Sequence, residues 1–329
     1  MVGTSIQDQK DDRKRFENNE GEKGAITLDQ IESFRSYGAF ALGSYNKENY
    51  SIQSGVRFDL HEISLDDNVG IDQQYVEYSK SLKAFSPNVG FIYSLNKNDE
   101  VYINYGKSYE TPSLSELSAN PNGVGFNGDL NPMNSSGFDL GFRNKSQNLS
   151  YSITAFYIKT KDEIVRYELE GFEGMNFYRN LGTSKRLGAE MEVSYNLGKS
   201  GVLNASYTQA KYEFKNQEVS GDLPGIPKSN FALEWLYGYK DFDLKLDLKY
   251  VNSLFADNNN EVKVPSYLLS NIALKNKFNF RGFSLEAALH VRNLLDEKYY
   301  DNIRTNAFGN RFYEPASLRS FIISIKTTF

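Results

Sequence analysis

The chain has 329 residues, with 42 acidic side chains against 37 basic ones, 23 Tyr, 23 Phe and no Cys. That slightly acidic balance excludes a dedicated nucleic-acid binder, which would carry a basic face, and the missing cysteines exclude disulfides and thiolate metal sites. No run approaches the roughly 18–20 apolar residues of a membrane helix, and the opening MVGTSIQDQKDDRKRF has no basic, apolar and cleavage regions of a signal peptide.

From the N-terminus onward, the pattern predicts strands of about ten residues joined by two kinds of connection. A polar stretch near 10–33 reads as a long loop, and NKEN (46–49) reads as a short turn. The next long stretch, 61–79, opens on His61 and contains LDDN (65–68). Such an acidic tip has oxygens for Ca²⁺, but it also has the composition of a solvated turn. NKND (96–99) is the second short turn, and 109–134 is long again. Within it GVGFNG (123–128) matches G-x-G-x-x-G, but Pro121 and Pro132 flank it where a dinucleotide loop needs a strand and a helix. KSQN (145–148) and GKSG (198–201) are short turns on either side of the long stretch 160–184, and 214–228 is the next long one.

The clearest alternation follows. FALEWLYGYK places Phe231, Leu233, Trp235, Tyr237 and Tyr239 on one face. FDLKLDLKY places Phe242, Leu244, Leu246, Leu248 and Tyr250 on one face and Asp243, Lys245, Asp247 and Lys249 on the other. A two-residue turn at Lys240–Asp241 sets Tyr239 opposite Phe242, so both apolar faces fall on the same side. After the long stretch 254–263, with DNNNE (257–261) as a second acidic tip, NIALKNKFNF and GFSLEAALHV repeat the device across Arg281 and Gly282. Their polar side carries Lys275, Lys277, Glu286, His290 and Arg292. The last long stretch is 295–314, and SFIISIKTTF ends the chain with Phe321, Ile323, Ile325 and Phe329 on one face.

Six short turns alternating with seven long stretches make about fourteen antiparallel strands. The fold expected is therefore all-β, an antiparallel transmembrane β-barrel wall with short periplasmic turns and long extracellular loops. Charges along one strand face are costly in a packed core and ordinary along a wet or filled lumen. The apolar face then meets lipid, and Phe329 is expected to bury its ring there. His61 and His290 show no metal-ligand spacing and are expected to line the lumen. The long stretches gather Tyr109, Arg166, Tyr167, Tyr178, Arg179, Tyr299, Arg304, Phe308, Arg311 and Tyr313. Arginine forks and tyrosine faces suit an anionic ligand; the alternative is an aromatic girdle with arginines at lipopolysaccharide phosphates.

In VRNLLDEKYYDN (291–302), Asn293, Leu294, Asp296, Tyr299 and Tyr300 resemble the N-L-x-D-x-x-Y phrase near the end of TonB-dependent outer-membrane receptors, and GNRFYEPASLRSFIISIKTTF resembles that family's ending. YETPSLSEL (109–117) resembles a second family stretch at Pro112, Leu114, Glu116 and Leu117. LNPMNSSGFDLGFR (130–143) resembles a third at Pro132, Ser135 and Gly141, with Met133 and Asp139 standing where the family usually has Glu. The resemblance covers nearly the whole chain. It implies that residues 1–329 are the C-terminal portion of a 22-stranded barrel, a truncated wall without plug domain, TonB box or signal peptide, not expected to transport alone. It further implies TonB-energised uptake of a scarce, bulky nutrient, usually a ferric siderophore or other iron complex, with no covalent chemistry, no catalytic residue, no resident metal and no cofactor. The implied partners are outer-membrane lipid and lipopolysaccharide, TonB through the plug, a ferric chelate, and the barrel-assembly machinery, which would read Phe321, Ile323, Ile325 and Phe329. The implied location is the outer membrane of a Gram-negative bacterium. A passive porin-like channel is the alternative.

Overall fold

The computed structural model describes residues 1–68, 77–123, 125–172, 174–215 and 220–329. Four of the expected long stretches therefore lie partly outside the described residues, at 69–76, 124, 173 and 216–219.

The main strands are β1 (Val2–Asn19), β2 (Glu22–Asn46), β3 (Tyr50–Asp67), β4 (Glu77–Ser94), β5 (Asp99–Glu110), β6 (Met133–Lys145), β7 (Leu149–Lys161), β8 (Thr183–Asn196), β9 (Val202–Lys215), β10 (Ser229–Tyr239), β11 (Phe242–Val251), β12 (Tyr267–Phe280), β13 (Phe283–Arg292) and β14 (Ser320–Thr328). They pair in chain order as one meander, and Ser220–Asp222 pairs with the end of β9 off that path. All six short turns fall where the sequence places them, the fourth as a 3₁₀ turn at Gly198–Ser200. No helix among the described residues is long and apolar enough to cross a membrane; in this fold the strands cross.

One expectation is corrected. The stretch 10–33 is not a loop but the upper part of a long β1–β2 ribbon, turning at Glu20 (φ 54°) and Gly21 (φ 97°). Its ladder satisfies backbone groups that a loop would leave to water, so polar composition alone did not break the strands. LDDN is likewise strand: Asp66 and Asp67 pair with Ile31 and Gln30.

The chain divides into two compact units. In the unit made of Ile92–Ile103, Asp139–Tyr157 and Lys185–Phe329, the registers carry the predicted two-faced wall. Tyr239 pairs with Phe242 and Phe280 with Phe283, as the two-residue turns require. The apolar rows are continuous: Trp235, Leu246 and Ile272 are successive partners, as are Leu274, Leu289 and Ile323. This face stays open: Ile323 is 74% exposed, Phe321 66% and Phe329 96%, with the Phe329 ring tilted on Phe283 at 6.2 Å. An apolar surface of this kind marks contact with something other than water, and lipid is that solvent for a barrel wall.

The opposite face is held by ion pairs, Lys245–Glu234 at 2.6 Å and Lys275–Asp243 at 2.9 Å, with Arg143 donating to Glu100 at 2.5 Å. On this wall Gly141 leaves room for a ring. A Cβ there would overlap Tyr102, whose hydroxyl hydrogen-bonds Thr154 Oγ1 at 2.6 Å. The N-L-x-D phrase also has a mechanical role. Asn293 (φ 51°) accepts from the Glu297 N–H at 2.8 Å and donates to its carbonyl at 2.8 Å. Asp296 (φ 57°) accepts from the Arg319 N–H at 2.9 Å. Asn and Asp tolerate the left-handed region and close such turns with their own side chains.

Candidate functional site

The most elaborate loop body lies in the unit made of Met1–Phe91, Asn104–Phe138 and Ile158–Ser184. After β5, Pro112 is buried and Ser113 starts a one-turn helix, α1 (Leu114–Ser118). Ser113 Oγ accepts from the Glu116 N–H, and Glu116 Oε2 accepts from the Ser113 N–H at 2.8 Å, a reciprocal capping box. With its ends satisfied, the helix turns Leu114 and Leu117 into a core with Ile63, Leu65, Phe126 and Leu130. Burial of these side chains, about 1.5–3 kcal/mol each, fixes the loop on strands β2 and β3. This gives the P-x-L-x-E-L stretch its physical meaning.

A second loop element packs on the first. Ile164–Tyr167 and Phe177–Asn180 form a hairpin. Asn127 Nδ2 donates to the Tyr178 carbonyl at 3.2 Å, and Asn180 exchanges hydrogen bonds with the backbone of Asn131 at 2.7 and 2.8 Å. In this hairpin Arg179 lies over the Tyr167 ring at 5.4 Å, and Arg166 pairs across the ladder with Tyr178. Tyr109 stands apart at the end of β5, stacked at 6.2 Å on His61, which stacks on Phe34 at 5.5 Å.

Beneath the two elements sits a buried polar hub that the sequence did not disclose. Glu32, only 2% exposed, accepts from Arg13 Nη1 at 3.1 Å, from Gln30 Nε2 at 2.5 Å and from Ser118 Oγ at 2.5 Å. A carboxylate taken from water needs such donors. Arg13 and Arg15 share this face of β1, opposite Gln30 and Leu28. A cavity of about 400 Å³ opens beside them, lined by Arg13, Arg15, α1, Gly123, Phe172, Asn176 and Tyr178. The arginines are its only charged lining side chains among the described residues. The alternation R-x-R was the available signal, but it has no value until 10–33 is known to be strand.

The remaining predicted residues lie in the other unit. The segments Tyr300–Ile303 and Tyr313–Pro315 pair over a small core of Ala256, Val264, Ala307 and Phe312. Tyr313 packs on Tyr300 at 4.4 Å, and Tyr299 on Tyr267 at 4.8 Å. Burial, with Asp301 adding to it, raises the pKa of Tyr299. The Arg304 N–H donates to the Phe312 carbonyl at 2.9 Å, and Arg311 Nε to the Phe308 carbonyl at 3.3 Å. Thus Arg304, Phe308, Arg311 and Tyr313 belong to one folded loop, and Arg166, Tyr167, Tyr178 and Arg179 to another.

Neither acidic tip makes a cation site. Asp257 spends its carboxylate on the N–H groups of Asn259, Glu261 and Val262 at 3.0, 3.2 and 2.7 Å. No group of three or more potential metal ligands occurs among the described residues. The described residues of GVGFNG, which exclude Val124, lie outside helix and strand, with the Asn127 N–H bound to the Leu117 carbonyl at 2.7 Å and no strand leading into them as a nucleotide loop needs.

The TonB dependent receptor-like β-barrel family profile matches residues 2–294. The chain is similar to the catecholate siderophore receptor Fiu of Escherichia coli strain K12, 25% identical over 264 residues, covering 77% of this chain and 34% of that protein. It is 24% identical over 223 residues to the ferrioxamine receptor of Yersinia enterocolitica, covering 65% and 30%. Among solved structures, the ferric citrate transporter FecA in unliganded form superposes with a TM-score of 0.81 at 18% identity, covering 99% of this chain and 51% of that one. The chain thus spans about a third of the length of the curated relatives it matches.

Proposed function

This chain belongs to the TonB-dependent receptor family, and from that membership we propose that it forms barrel wall in a receptor for TonB-energised uptake of a ferric siderophore or similar iron complex. Such proteins reside in the outer membrane of Gram-negative bacteria. The reading rests on the family match along residues 2–294 together with folded loops in which arginine and tyrosine cluster, and it is supported by relatives named for catecholate siderophores and ferrioxamine.

In this reading residues 1–329 serve as the C-terminal portion of a larger barrel, and the iron complex is cargo. The protein binds and releases it without covalent chemistry. Arg166, Tyr167 and Arg179 in one loop hairpin, Tyr109 at the end of β5, and the loop carrying Tyr299, Arg304, Arg311 and Tyr313 contact cargo. Energy arrives through TonB contact with a plug domain. The open face of Phe321, Ile323, Ile325 and Phe329 serves the barrel-assembly machinery before it meets lipid, and arginines near the rim contact lipopolysaccharide phosphates.

Growth tests the proposal. The full-length gene, in a host stripped of its own ferric-chelate receptors, restores growth in iron-depleted medium on ferric tris-catecholate, ferric citrate or ferrioxamine B, and loss of TonB abolishes it. Growth on none of them, or growth indifferent to TonB, refutes it.

A further inference from the structure

The cavity beside Arg13 and Arg15 stays open between the braced loop elements, and the charge of its described lining is one-sided. We propose that it is an anion subsite, resting on the reading of the protein as a ferric-chelate receptor, and that it seats a carboxylate or catecholate edge of an anionic cargo while disfavouring a cationic one.

Four observations converge. First, the two guanidinium groups line a cavity of about 400 Å³ with no acidic lining side chain among the described residues. Arg13 is engaged by Glu32. Arg15 is exposed on β1 and forms no ion pair among the described residues, so its fork remains for a ligand. Second, Asn176 Oδ1 is buried in the cavity wall without a hydrogen-bond partner among the described residues, and a buried amide of this kind is costly until something donates to it or its flipped –NH₂ finds an acceptor. Third, Phe172 and Tyr178 supply flat apolar surface to the same cavity, where an aromatic chelator arm would lie. Fourth, the walls are braced: Glu32 ties Arg13 to Ser118 of α1, so the charge is held in place before a ligand arrives, which reduces the ordering cost of binding.

A fork of guanidinium donors matches carboxylate, catecholate and phosphate oxygens alike. The competing source of such oxygens is lipopolysaccharide, and the test separates the two. Purified full-length receptor in detergent is titrated calorimetrically with ferric citrate and ferric tris-catecholate, both anionic, and with cationic ferrioxamine B. The receptor binds at least one anionic chelate. Arg15→Gln, which removes no ion pair among the described residues, weakens that binding at least tenfold and leaves ferrioxamine B unchanged or improved; Arg15→Lys recovers part of the loss. Asn176→Asp, which adds a carboxylate to the cavity, weakens the same chelate by a similar factor. Heat-modifiable mobility on gels verifies that each variant is folded.

If Arg15→Gln and Asn176→Asp both bind the anionic chelate within twofold of wild type, the subsite is wrong and the iron-complex reading stands. The same holds if ferrioxamine B is preferred by the wild type. Displacement of the chelate by added lipopolysaccharide assigns the arginines to lipid phosphate and overturns the cargo assignment. Binding of none of the three chelates removes the iron-complex reading and the subsite together.

Discussion

Ser118 Oγ donates to Glu32 Oε1 at 2.5 Å across 86 residues of sequence, so the last turn of a five-residue helix is fastened to the middle of a 25-residue strand. An isolated helix of that length has no stability in water. Its persistence depends on this bond, the capping box and two buried leucines.

Removing the acceptor should therefore loosen the loop before it affects the sheet. Glu32→Gln weakens the bond to Ser118 and strips Arg13 of its counter-charge, at a cost of about 1–3 kcal/mol. Hydrogen exchange should accelerate in residues 114–130 and stay unchanged in β10–β13. Equal acceleration in both regions would show that the hub supports the whole wall.

Gly141 offers a packing test. Any Cβ there meets the Tyr102 ring, so Gly141→Val must expel the ring and break its bond to Thr154, with a loss on the order of 1–3 kcal/mol. Tyr102→Phe keeps the ring and loses one hydrogen bond, about 1 kcal/mol. Thermal unfolding monitored by gel mobility should rank wild type above Tyr102→Phe and Tyr102→Phe above Gly141→Val.

At the Lys240–Asp241 turn, Lys240 holds φ 54°, a region that costs most L-residues energy and that Asn accepts. Lys240→Asn is expected to stabilise the hairpin by about 0.5 kcal/mol. A small rise in the urea midpoint at unchanged slope would bear this out; a fall would place some unseen role on the lysine.

The two faces of β11 should respond differently to charge. Leu246→Arg puts a cation into lipid, at about 2–4 kcal/mol near the bilayer midplane. Lys245→Ala removes a lysine that is 45% exposed from pairs with Glu234 and Asp247, worth under about 1 kcal/mol. Refolding into lipid vesicles from urea should fail or slow markedly for the first and proceed for the second.

These contrasts show where the sequence was legible. From Phe231 to Val291 each main strand sets a mostly apolar face against a more polar one, and two-residue turns leave a single register that keeps Tyr239 on Phe242 and Phe280 on Phe283. In 10–33 both faces are largely polar, so the period of two has no contrast to display, and strand passes for loop. The Arg13–Glu32–Ser118 hub depends on that missed ribbon and on a partner 86 residues away, beyond the reach of any local pattern. The arginines and tyrosines of the loops were visible as residue types. Their sorting into the Tyr167–Arg179 pair and the Tyr300–Tyr313 pair required the loop hairpins.

The β1–β2 ribbon turns on two residues and shifts register twice near its tip, between Arg15 and Phe16 and between Phe16 and Asn18. Side chains on a strand swap faces with every residue, so a single-residue deletion below those bulges would turn Arg13 and Arg15 away from the cavity. Above them, a bulge has already absorbed the phase, and residues 18–23 can be lengthened, shortened or exchanged without rotating the arginines. The ribbon thus separates its outermost turn from the residues that aim the arginines, so that a change in length at the one need not disturb the other.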